Sequence, residues 1–259
     1  MPKDIAMTKS IHIIKITPEQ RTQVEEPLVE EYPLGIYLNG KKLTSLLCSP
    51  RDLKPLVIGY LMTEGYISDF EEILSLAFME AQNAMMVCLK SDREHSKDYS
   101  SFCRENTTYL DELNCQPLRS ELTLSAYKVF DLMEGILSHS QVFKQTGGVH
   151  TVGLANAKGV LMVKEDVARH NALSKVIGEA CAEGMDFSDK IIVLSGRVSL
   201  EMLVKAARVG VSIVISKSAP TSLSVELAER LNITLVGFVR DNRMNIYTHP
   251  KRILQGERS

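Results

Sequence analysis

The fold is decided by residues 190–239, which read KIIVLSGRVSLEMLVKAARVGVSIVISKSAPTSLSVELAERLNITLVGFV. Three short apolar runs, KIIVLS, VSIVIS and ITLVGFV, alternate with two segments of helical spacing, SLEMLVKAARVG and SLSVELAERLN. Strands that are apolar throughout are buried on both faces, as in a sheet with helices packed on each side. The stretch therefore predicts an α/β sheet with helices on both faces.

The residues on either side of this stretch extend the same domain, which we place at residues 123–259. GVHTVGLA and VLMVKED flank NAKG as a predicted hairpin, and a helix follows from Asp166, the expected N-cap. LTLSAYKVFDLMEGILSHSQVF has the spacing of an amphipathic helix, and NIYTH is a predicted short last strand.

Residues 1–122 predict a smaller α+β domain. IHIIKIT alternates as a strand does, and GIYLNGKKLTSLL has the hairpin signal Asn39-Gly40 between two apolar runs. A helix is predicted after Pro50, ending near Gly65, and then a second hairpin that turns at Gln82-Asn83. The polar stretch SDREHSKDYSSFCRENTTYLDELN closes the domain and is typical of a functional loop or a linker.

Composition and charge exclude several classes of protein. The 259 residues have a formal net charge of −2, so there is no global basic field for nucleic acid. No apolar run approaches the roughly 18 residues that span a bilayer. The start, MPKDIAMTKS, lacks the apolar centre of a signal peptide. We therefore expect a cytoplasmic protein that binds neither nucleic acid nor membrane.

The cysteines predict free thiols. They are five in number and no C-x-x-C occurs, so no disulfide framework is implied. Cys48, Cys88 and Cys181 are interpreted as small buried apolar residues. Cys103 and Cys115 lie in the polar stretch or directly after it, and they are the candidates for chemistry.

Four groups of candidate ligand-binding residues fall on turns at the expected sheet edge, because such sheets bind ligands at the carboxyl ends of their strands. Paired glycines allow close backbone approach to a ligand, and hydroxyls with free N–H groups can hold an oxyanion. Each turn alone is better explained as an ordinary turn or helix start, but together they predict an anion site. The residues of the first three turns are Gly147, Gly148, His150, Ser195, Arg197, Ser216 and Ser218.

The fourth group of candidate ligand-binding residues is Asp166, Arg169 and His170, at the start of the helix predicted from Asp166. Arg169 and His170 occupy its first turn, at the positive end of the helix dipole, where cations are disfavoured. Their position suggests that a negatively charged ligand joins them. The alternative is an exposed helix face with local ion pairs.

A fifth segment ends the last long strand and combines one aromatic ring with two guanidinium groups. The ring suits stacking on a base, and the guanidinium groups suit phosphate or a purine edge. As a turn between two strands it would be unremarkable. Its residues are Phe238, Val239, Arg240, Asp241, Asn242 and Arg243.

In order along the chain, these motifs resemble those of the formate dehydrogenase accessory protein family (FdhD). The matching segments are EEYPLGIYLNGKKLTSLLCSPRDLKPLVIGYLMTEGYI, TGGVH, EDVARHNALSKVIG, LSGRVSLEM, SKSAPTSLSVELAE and TLVGFVR. The resemblance implies a sulfur carrier that accepts persulfide sulfur from a cysteine desulfurase. The sulfur then passes to a molybdenum or tungsten bis-guanine-dinucleotide cofactor before the cofactor enters formate dehydrogenase.

The resemblance also implies a cytidine-deaminase-like C-terminal domain and a homodimer. The guanine-dinucleotide contact corresponds to residues 238–243, and Arg169 and His170 would face the phosphates or pterin. A zinc-dependent deaminase is not expected, because it needs H-x-E and P-C-x-x-C. His150 is followed by Thr151-Val152, and no P-C-x-x-C occurs.

The chain departs from the family in its sulfur-carrying loop. The family pattern C-G-x-C-G falls on Ser100-Ser101-Phe102-Cys103-Arg104, so only the second cysteine is kept. Cys103 could still carry a persulfide, with Arg104 favouring its thiolate, but no internal disulfide or thiol relay is possible there. If the register differs, Cys115 is the rival, with Arg119 as its only neighbouring cation in sequence. The alternative function is a non-catalytic chaperone that binds and delivers the cofactor.

Overall fold

The computed structural model describes residues 6–91 and 115–256, so the predicted sulfur-carrying loop, with Ser100 and Cys103, lies outside the described residues. The strands are β1 (Thr8–Ile16), β2 (Arg21–Val29), β3 (Tyr32–Leu38), β4 (Lys41–Cys48), β5 (Ile73–Met79), β6 (Ala84–Leu89), β7 (Leu124–Ser125), β8 (His150–Ala155), β9 (Val160–Asp166), β10 (Ile191–Leu194), β11 (Ile213–Ser216), β12 (Thr234–Arg240), β13 (Arg243–Ile246) and β14 (Ile253–Leu254). The α-helices are α1 (Leu53–Thr63), α2 (Ala126–Ser138), α3 (Gln141–Thr146), α4 (Arg169–Ala182), α5 (Leu200–Arg208) and α6 (Ser222–Arg230).

The predicted C-terminal sheet is present and has six strands in the order β13-β12-β11-β10-β8-β9. Its centre is parallel, because β11 pairs in parallel with both β10 and β12. The strands β8, β9 and β13 run antiparallel to their neighbours. Every residue of β10 and β11 is buried, as their continuous apolar sequences predict.

Helices cover both faces of this sheet, which confirms the α/β prediction at that level. Apolar residues of α4, α5 and α6 form one core with the sheet. On the opposite face, α2 contributes Val129, Leu132, Met133 and Ile136 to a second core. The 3.6-residue period explains this arrangement, since residues at spacings of three and four share one face of a helix.

The N-terminal part forms a separate four-stranded sheet in the order β4-β3-β6-β5, packed on α1. The hairpin at Asn39-Gly40 is confirmed, and both turn residues have positive φ, at 47° and 79°. This is the backbone geometry that Asn-Gly turns provide. The second hairpin is also confirmed, and Asn83 turns it with φ of 47°.

Two glycines bring α1 and α4 into very close contact. A Cβ placed on Gly59 would lie 1.8 Å from the backbone oxygen of Ser174, and one placed on Gly178 would lie 1.9 Å from that of Pro55. Small residues allow helix backbones to approach in this way. The contact joins the helix of the N-terminal sheet to the helix that begins with Arg169.

Strands β1 and β2 form a two-stranded sheet of their own. The alternation of β1 was predicted, whereas β2 has no regular apolar pattern and was missed. Val29 at the end of β2 packs against a small cluster that contains Val142 and Val149. This contact attaches the hairpin to the segment around α3.

The predicted last strand, NIYTH, is displaced in the structure. Strand β13 begins at Arg243, which pairs with Arg240 across a two-residue turn. Asp241 and Asn242 form this turn with positive φ of 51° and 55°. Positive φ at both central positions is the hairpin geometry that polar Asp and Asn side chains tolerate. The turn therefore starts the strand two residues earlier than predicted.

The burial predicted for the cysteines is only partly correct. Cys48 is buried and Cys181 is partly buried, but Cys88 is exposed. The prediction for Cys88 is wrong because α1 covers only one face of the N-terminal sheet, and Cys88 lies on the other face of β6. Among the described residues, no helix has the length and apolar character needed to cross a membrane.

Candidate functional site

The carboxyl ends of β10, β11 and β12 bring three of the predicted turns into one hydrogen-bonded network. The Ser216 hydroxyl donates to the Gly196 carbonyl at 2.7 Å and accepts from the Ser218 N–H at 2.9 Å. The Ser218 carbonyl in turn accepts from the Phe238 N–H at 3.1 Å. Residues far apart in sequence therefore lie together along this edge, which we call the rim.

The start of β8 belongs to the same rim, since β8 runs antiparallel to β10. Thr151 and Ser195 connect the two strands: the Thr151 N–H donates to the Ser195 hydroxyl at 3.0 Å, and the Ser195 N–H donates to the Thr151 carbonyl at 2.9 Å. The Ser195 hydroxyl therefore accepts a hydrogen bond within the rim, and the Ser216 hydroxyl both donates and accepts there. Both hydroxyls hold the loops of the rim in place.

His150, Gly196 and Arg169 are in close contact at the rim. A Cβ on Gly196 would lie 3.1 Å from Nδ1 of His150 and 3.6 Å from Cβ of Arg169, so this position favours glycine. Burial lowers the pKa of His150, and the neighbouring charges of Arg169 and Arg197 lower it further, against the opposing effect of Asp166. The ring is therefore neutral near pH 7.

The expected role of Asp166 as an N-cap is wrong, because α4 begins at Arg169 with Ala168 in the cap position. Asp166 is instead fully buried, and its carboxylate lies 2.7 Å from Nζ of Lys175. It also accepts hydrogen bonds from the N–H groups of Ser49 and Ala168 and from the side-chain amide of Asn171. A buried carboxylate needs such partners. Through them Asp166 holds the segment before α4 against the N-terminal residue Ser49.

The glycine pair Gly147-Gly148 has local structural roles. Gly147 ends α3 with φ of 65°, and its N–H donates to the Phe143 carbonyl. A Cβ on Gly148 would lie 2.7 Å from a methyl group of Val29. Gly148 therefore contacts the N-terminal hairpin, whereas His150, two residues later, lies at the rim.

The segment from Phe238 to Arg243 offers side chains of two kinds. The Arg240 guanidinium carbon lies 5.7 Å from the centre of the Phe238 ring, within cation–π range. Arg240, Asp241, Asn242 and Arg243 are exposed, as ligand-contacting groups must be. Val239 is buried in the core beside α2, so its side chain does not reach the surface.

Sequence reasoning missed a second set of polar residues beside the rim. The Nε2 atom of His170 lies 3.1 Å from a carboxylate oxygen of Glu201 on α5. One turn further along α5, Nζ of Lys205 lies 2.6 Å from a carboxylate oxygen of Glu64. An acidic residue in the first turn of a helix is common, so nothing in the sequence singled out Glu201.

Three buried polar atoms next to this set have no hydrogen-bond partner among the described residues. They are Nε of Arg169, Nε2 of His170 and Oγ of Ser199. Buried polar atoms are nearly always paired in folded proteins, so each exception requires an explanation. Among the described residues, the starts of α4 and α5 thus carry unpaired polar atoms beside the rim.

The rival thiol, Cys115, has a different neighbourhood from the one expected. Arg208 at the end of α5 lowers the pKa of Cys115 through its charge and a side-chain hydrogen bond, so the prediction that Arg119 is its only cation is wrong. Burial is the larger effect and raises the pKa overall. The thiol is partly buried against the core formed by α4, α5 and α6.

Within the two described segments, no group of three or more His, Cys, Asp and Glu side chains is arranged to hold a metal ion. The site is defined instead by arginine, histidine and serine side chains on loops at the carboxyl ends of parallel strands. Such edges bind anionic ligands in α/β proteins, because helix N-termini and cationic side chains meet there. Fold and site together define the class: an α/β protein that collects cationic and hydroxyl-bearing side chains at the carboxyl edge of its central sheet.

Comparison with known proteins then identifies the family. The model of the FdhD/NarQ family matches residues 29–254, and the chain belongs to this family. A protein of Halalkalibacterium halodurans named Sulfur carrier protein FdhD is 39% identical over 253 residues, which cover 93% of this chain and 94% of that protein.

Two further relatives agree with this assignment. A protein of the same name from Bacillus subtilis is 40% identical over 241 residues, covering 90% of this chain and 92% of that protein. A crystal structure described as a formate dehydrogenase accessory protein from Desulfotalea psychrophila superposes with a TM-score of 0.82 at 28% identity. The match covers 96% of this chain and 100% of that chain.

Proposed function

We propose that this chain is a cytoplasmic sulfur carrier for formate dehydrogenase. It accepts persulfide sulfur from a cysteine desulfurase and passes it to the molybdenum, or tungsten, bis-guanine-dinucleotide cofactor before insertion. Family membership supports this function, as do the names of the relatives. The observation that carries the proposal is the network that joins the Ser195, Ser216 and Phe238 turns, with Arg169 and Arg197 beside it.

The rim suits a guanine dinucleotide in two ways. Phe238 and Arg240 present a ring and a guanidinium group for the base, and both kinds of group bind purines by stacking or hydrogen bonding. Arg169 and Arg197 supply positive charge for the phosphates. The cofactor is the cargo of this protein, and its guanosine diphosphate half is the part that these residues would hold.

Three further features implied by the family resemblance belong to the same proposal. The C-terminal unit, from residue 123 onward, would be cytidine-deaminase-like, and residues 1–122 would form the smaller domain. The six-stranded order with helices on both faces supports the first of these. The protein would act as a homodimer.

Sulfur would travel on Cys103. Its thiolate would attack the outer sulfur of the desulfurase persulfide, which transfers one sulfur atom and releases the desulfurase thiolate. Ser100 replaces the first cysteine of the family pattern. The persulfide sulfur would therefore stay on Cys103 until it is passed to the cofactor, because no neighbouring thiol can accept it. Cys115 is a poorer nucleophile, because burial raises its pKa and lowers the thiolate fraction.

Incubation with a cysteine desulfurase and cysteine should add the mass of one sulfur atom to the peptide that contains Cys103. The adduct should disappear in Cys103→Ser and persist in Cys115→Ser, as peptide mass spectrometry would show. An adduct on Cys115 instead would show that Cys115, and not Cys103, carries the sulfur. No adduct on either cysteine would contradict sulfur transfer by this chain.

The second candidate is a non-catalytic chaperone that binds and delivers the cofactor. The serine at position 100 favours it, because the chain lacks one of the two thiols of the family loop. Formate dehydrogenase activity in cells that lack the endogenous protein separates the two functions. A carrier requires Cys103, whereas a chaperone would tolerate Cys103→Ala but not Arg240→Ala.

Removal of the Arg240 guanidinium should weaken the binding of guanosine diphosphate about tenfold or more, because a hydrogen bond to a charged group contributes roughly 1.5–3 kcal/mol. Titration calorimetry of Arg240→Ala would measure the change. Arg21→Ala is the matched control, since Arg21 is also exposed but lies on the N-terminal hairpin. If the two variants bind guanosine diphosphate with equal affinity, Arg240 does not contact the guanine base.

A further inference from the structure

The starts of α4 and α5 meet beside the rim, and neither has a side-chain cap. Ala168 precedes α4 and cannot cap it, and Ser199 precedes α5 but makes no capping hydrogen bond. Helices α2 and α6 in the same domain are capped by Ser125 and Thr221. Serine at this position usually accepts from its own helix, so the hydroxyl of Ser199 is left without its ordinary role.

Independent of the caps, three buried atoms at this junction lack partners among the described residues. Oγ of Ser199 is one, and Nε of Arg169 and Nε2 of His170 are the others. All three belong to the first residues of α4 or to the residue before α5. Their clustering indicates that a polar group completes the junction when a ligand binds.

His170 is the unusual member of this cluster. Its Nε2 lies 3.1 Å from Glu201, a distance typical of an ion pair, yet the two groups are not aligned for a hydrogen bond. Burial lowers the pKa of His170 to about 4, and Arg169, Lys205 and His150 contribute to the lowering, against Glu64. The ring is therefore neutral near pH 7, and the contact with Glu201 is not an ion pair.

The groups that face His170 come from four elements. Arg169 precedes it on α4, Glu201 and Lys205 lie on α5, His150 begins β8, and Glu64 follows α1. Lys205 is already paired with Glu64 at 2.6 Å. The remaining cation beside the ring, Arg169, lies at the rim, so an anion there would offset the largest of the charges that lower the pKa of His170 in addition to burial.

Electrostatics then determine the direction of the response. An opposite charge within about 4–6 Å favours the charged form of a titratable group. A phosphate at the rim would therefore raise the affinity of the His170 ring for a proton. Glu201 lies on the other side of the ring and would stabilise the same imidazolium.

We propose that His170 and Glu201 form a proton-coupled subsite, in which binding of a diphosphate at the rim is accompanied by uptake of one proton on His170. The imidazolium then bridges the ligand and Glu201, while Arg169 and Ser199 donate to the same phosphate oxygens. This inference rests on the anion-binding rim of the proposed function. It adds that the subsite selects a multiply charged phosphate over a neutral or singly charged group.

The sign of the pH dependence follows from linkage. The pKa of His170 is low in the free protein and higher in the complex, so binding takes up protons. Affinity therefore increases as pH falls from the pKa of the complex toward about 4, the pKa in the free protein. Above the pKa of the complex this contribution to affinity is lost.

Calorimetry of guanosine diphosphate at pH 6.5, in buffers with different ionisation enthalpies, measures the protons taken up per ligand. We expect the wild type to take up at least about half a proton more than His170→Gln, because the His170 ring is neutral in the free protein and becomes charged in the proposed complex. Protonation of the diphosphate itself is common to both proteins and cancels in the difference. Glu201→Gln should reduce the uptake, and His12→Gln, on the exposed hairpin, should leave it unchanged.

The possible results separate this inference from the function on which it rests. Binding with equal proton uptake in wild type and His170→Gln would overturn the inference alone. Loss of uptake in His150→Gln but not in His170→Gln would also overturn it. If guanosine diphosphate does not bind at all, the proposed function fails and the inference fails with it.

NMR spectroscopy of the wild-type protein gives a second, direct measurement of the charge on the His170 ring. The chain has six histidines, so the ring signals in NMR spectra are few and the signal missing in His170→Gln identifies residue 170. We expect its ring carbon and nitrogen shifts to change from those of a neutral imidazole to those of an imidazolium when guanosine diphosphate is added at pH 6.5. A ring that stays neutral at saturation would overturn the inference.

Discussion

Asp166→Asn should destabilise the protein by about 3–5 kcal/mol, the usual cost of removing one partner from a buried ion pair. Asp166 and Lys175 are both fully buried, 2.7 Å apart. An asparagine would leave the ammonium without a counter-charge and would present an amide group to the N–H donors of Ser49 and Ala168. Denaturant unfolding of the variant and the wild type would measure the difference.

A surface pair supplies the control for this prediction. Lys90 and Glu71 are separated by 3.5 Å and are largely exposed, so Lys90→Met should cost less than about 1 kcal/mol. The same substitution at Lys175 leaves a buried carboxylate without its cation and should cost several times more. If Asp166→Asn and Lys90→Met destabilise equally, the buried pair does not support the start of α4.

Gly178→Ala should destabilise the protein by about 3 kcal/mol or more, because the added methyl group has no space. It would lie 1.9 Å from the backbone oxygen of Pro55, and neither helix backbone can move without disturbing the core around it. Thermal unfolding would show a lower melting temperature. Because α4 begins with Arg169 and His170, its displacement should also weaken the binding of guanosine diphosphate.

Gly159→Ala is the matched control. Gly159 lies in the turn between β8 and β9, and a Cβ there would meet no atom within 4 Å. Its backbone does not require the left-handed region, so alanine should change stability by less than about 0.5 kcal/mol. A loss in Gly178→Ala no larger than this would mean that the two helices separate easily.

The sequence was sufficient for the elements whose signals are local. Asn39-Gly40 predicts its hairpin because both turn residues must adopt positive φ, whatever surrounds them. The runs IIVL and IVIS predict buried strands because only a sheet covered on both faces accepts continuous apolar strands. The order of strands and helices alone then predicts that Ser195, Ser216 and Phe238 lie at the carboxyl edge of one sheet.

Features that depend on distant partners were missed or assigned wrongly. Asp166 resembles an N-cap in sequence, but the ammonium of Lys175 and the N–H of Ser49, distant in the chain, hold it inside. The contact of His170 with Glu201 depends on how α4 and α5 pack against each other. The spacing of apolar residues along the chain does not predict this packing.

By itself, the amino-acid sequence determined most of the strands and helices and the edge of the sheet where the candidate site lies, because apolar period and turn chemistry act over a few residues. Only the tertiary structure decided which polar groups at that edge are already paired and which are not. The hydroxyls of Ser195 and Ser216 hold loops, whereas buried atoms of Arg169, His170 and Ser199 lack partners among the described residues. Burial and pairing are properties of the packed chain, and they set the charge of His170.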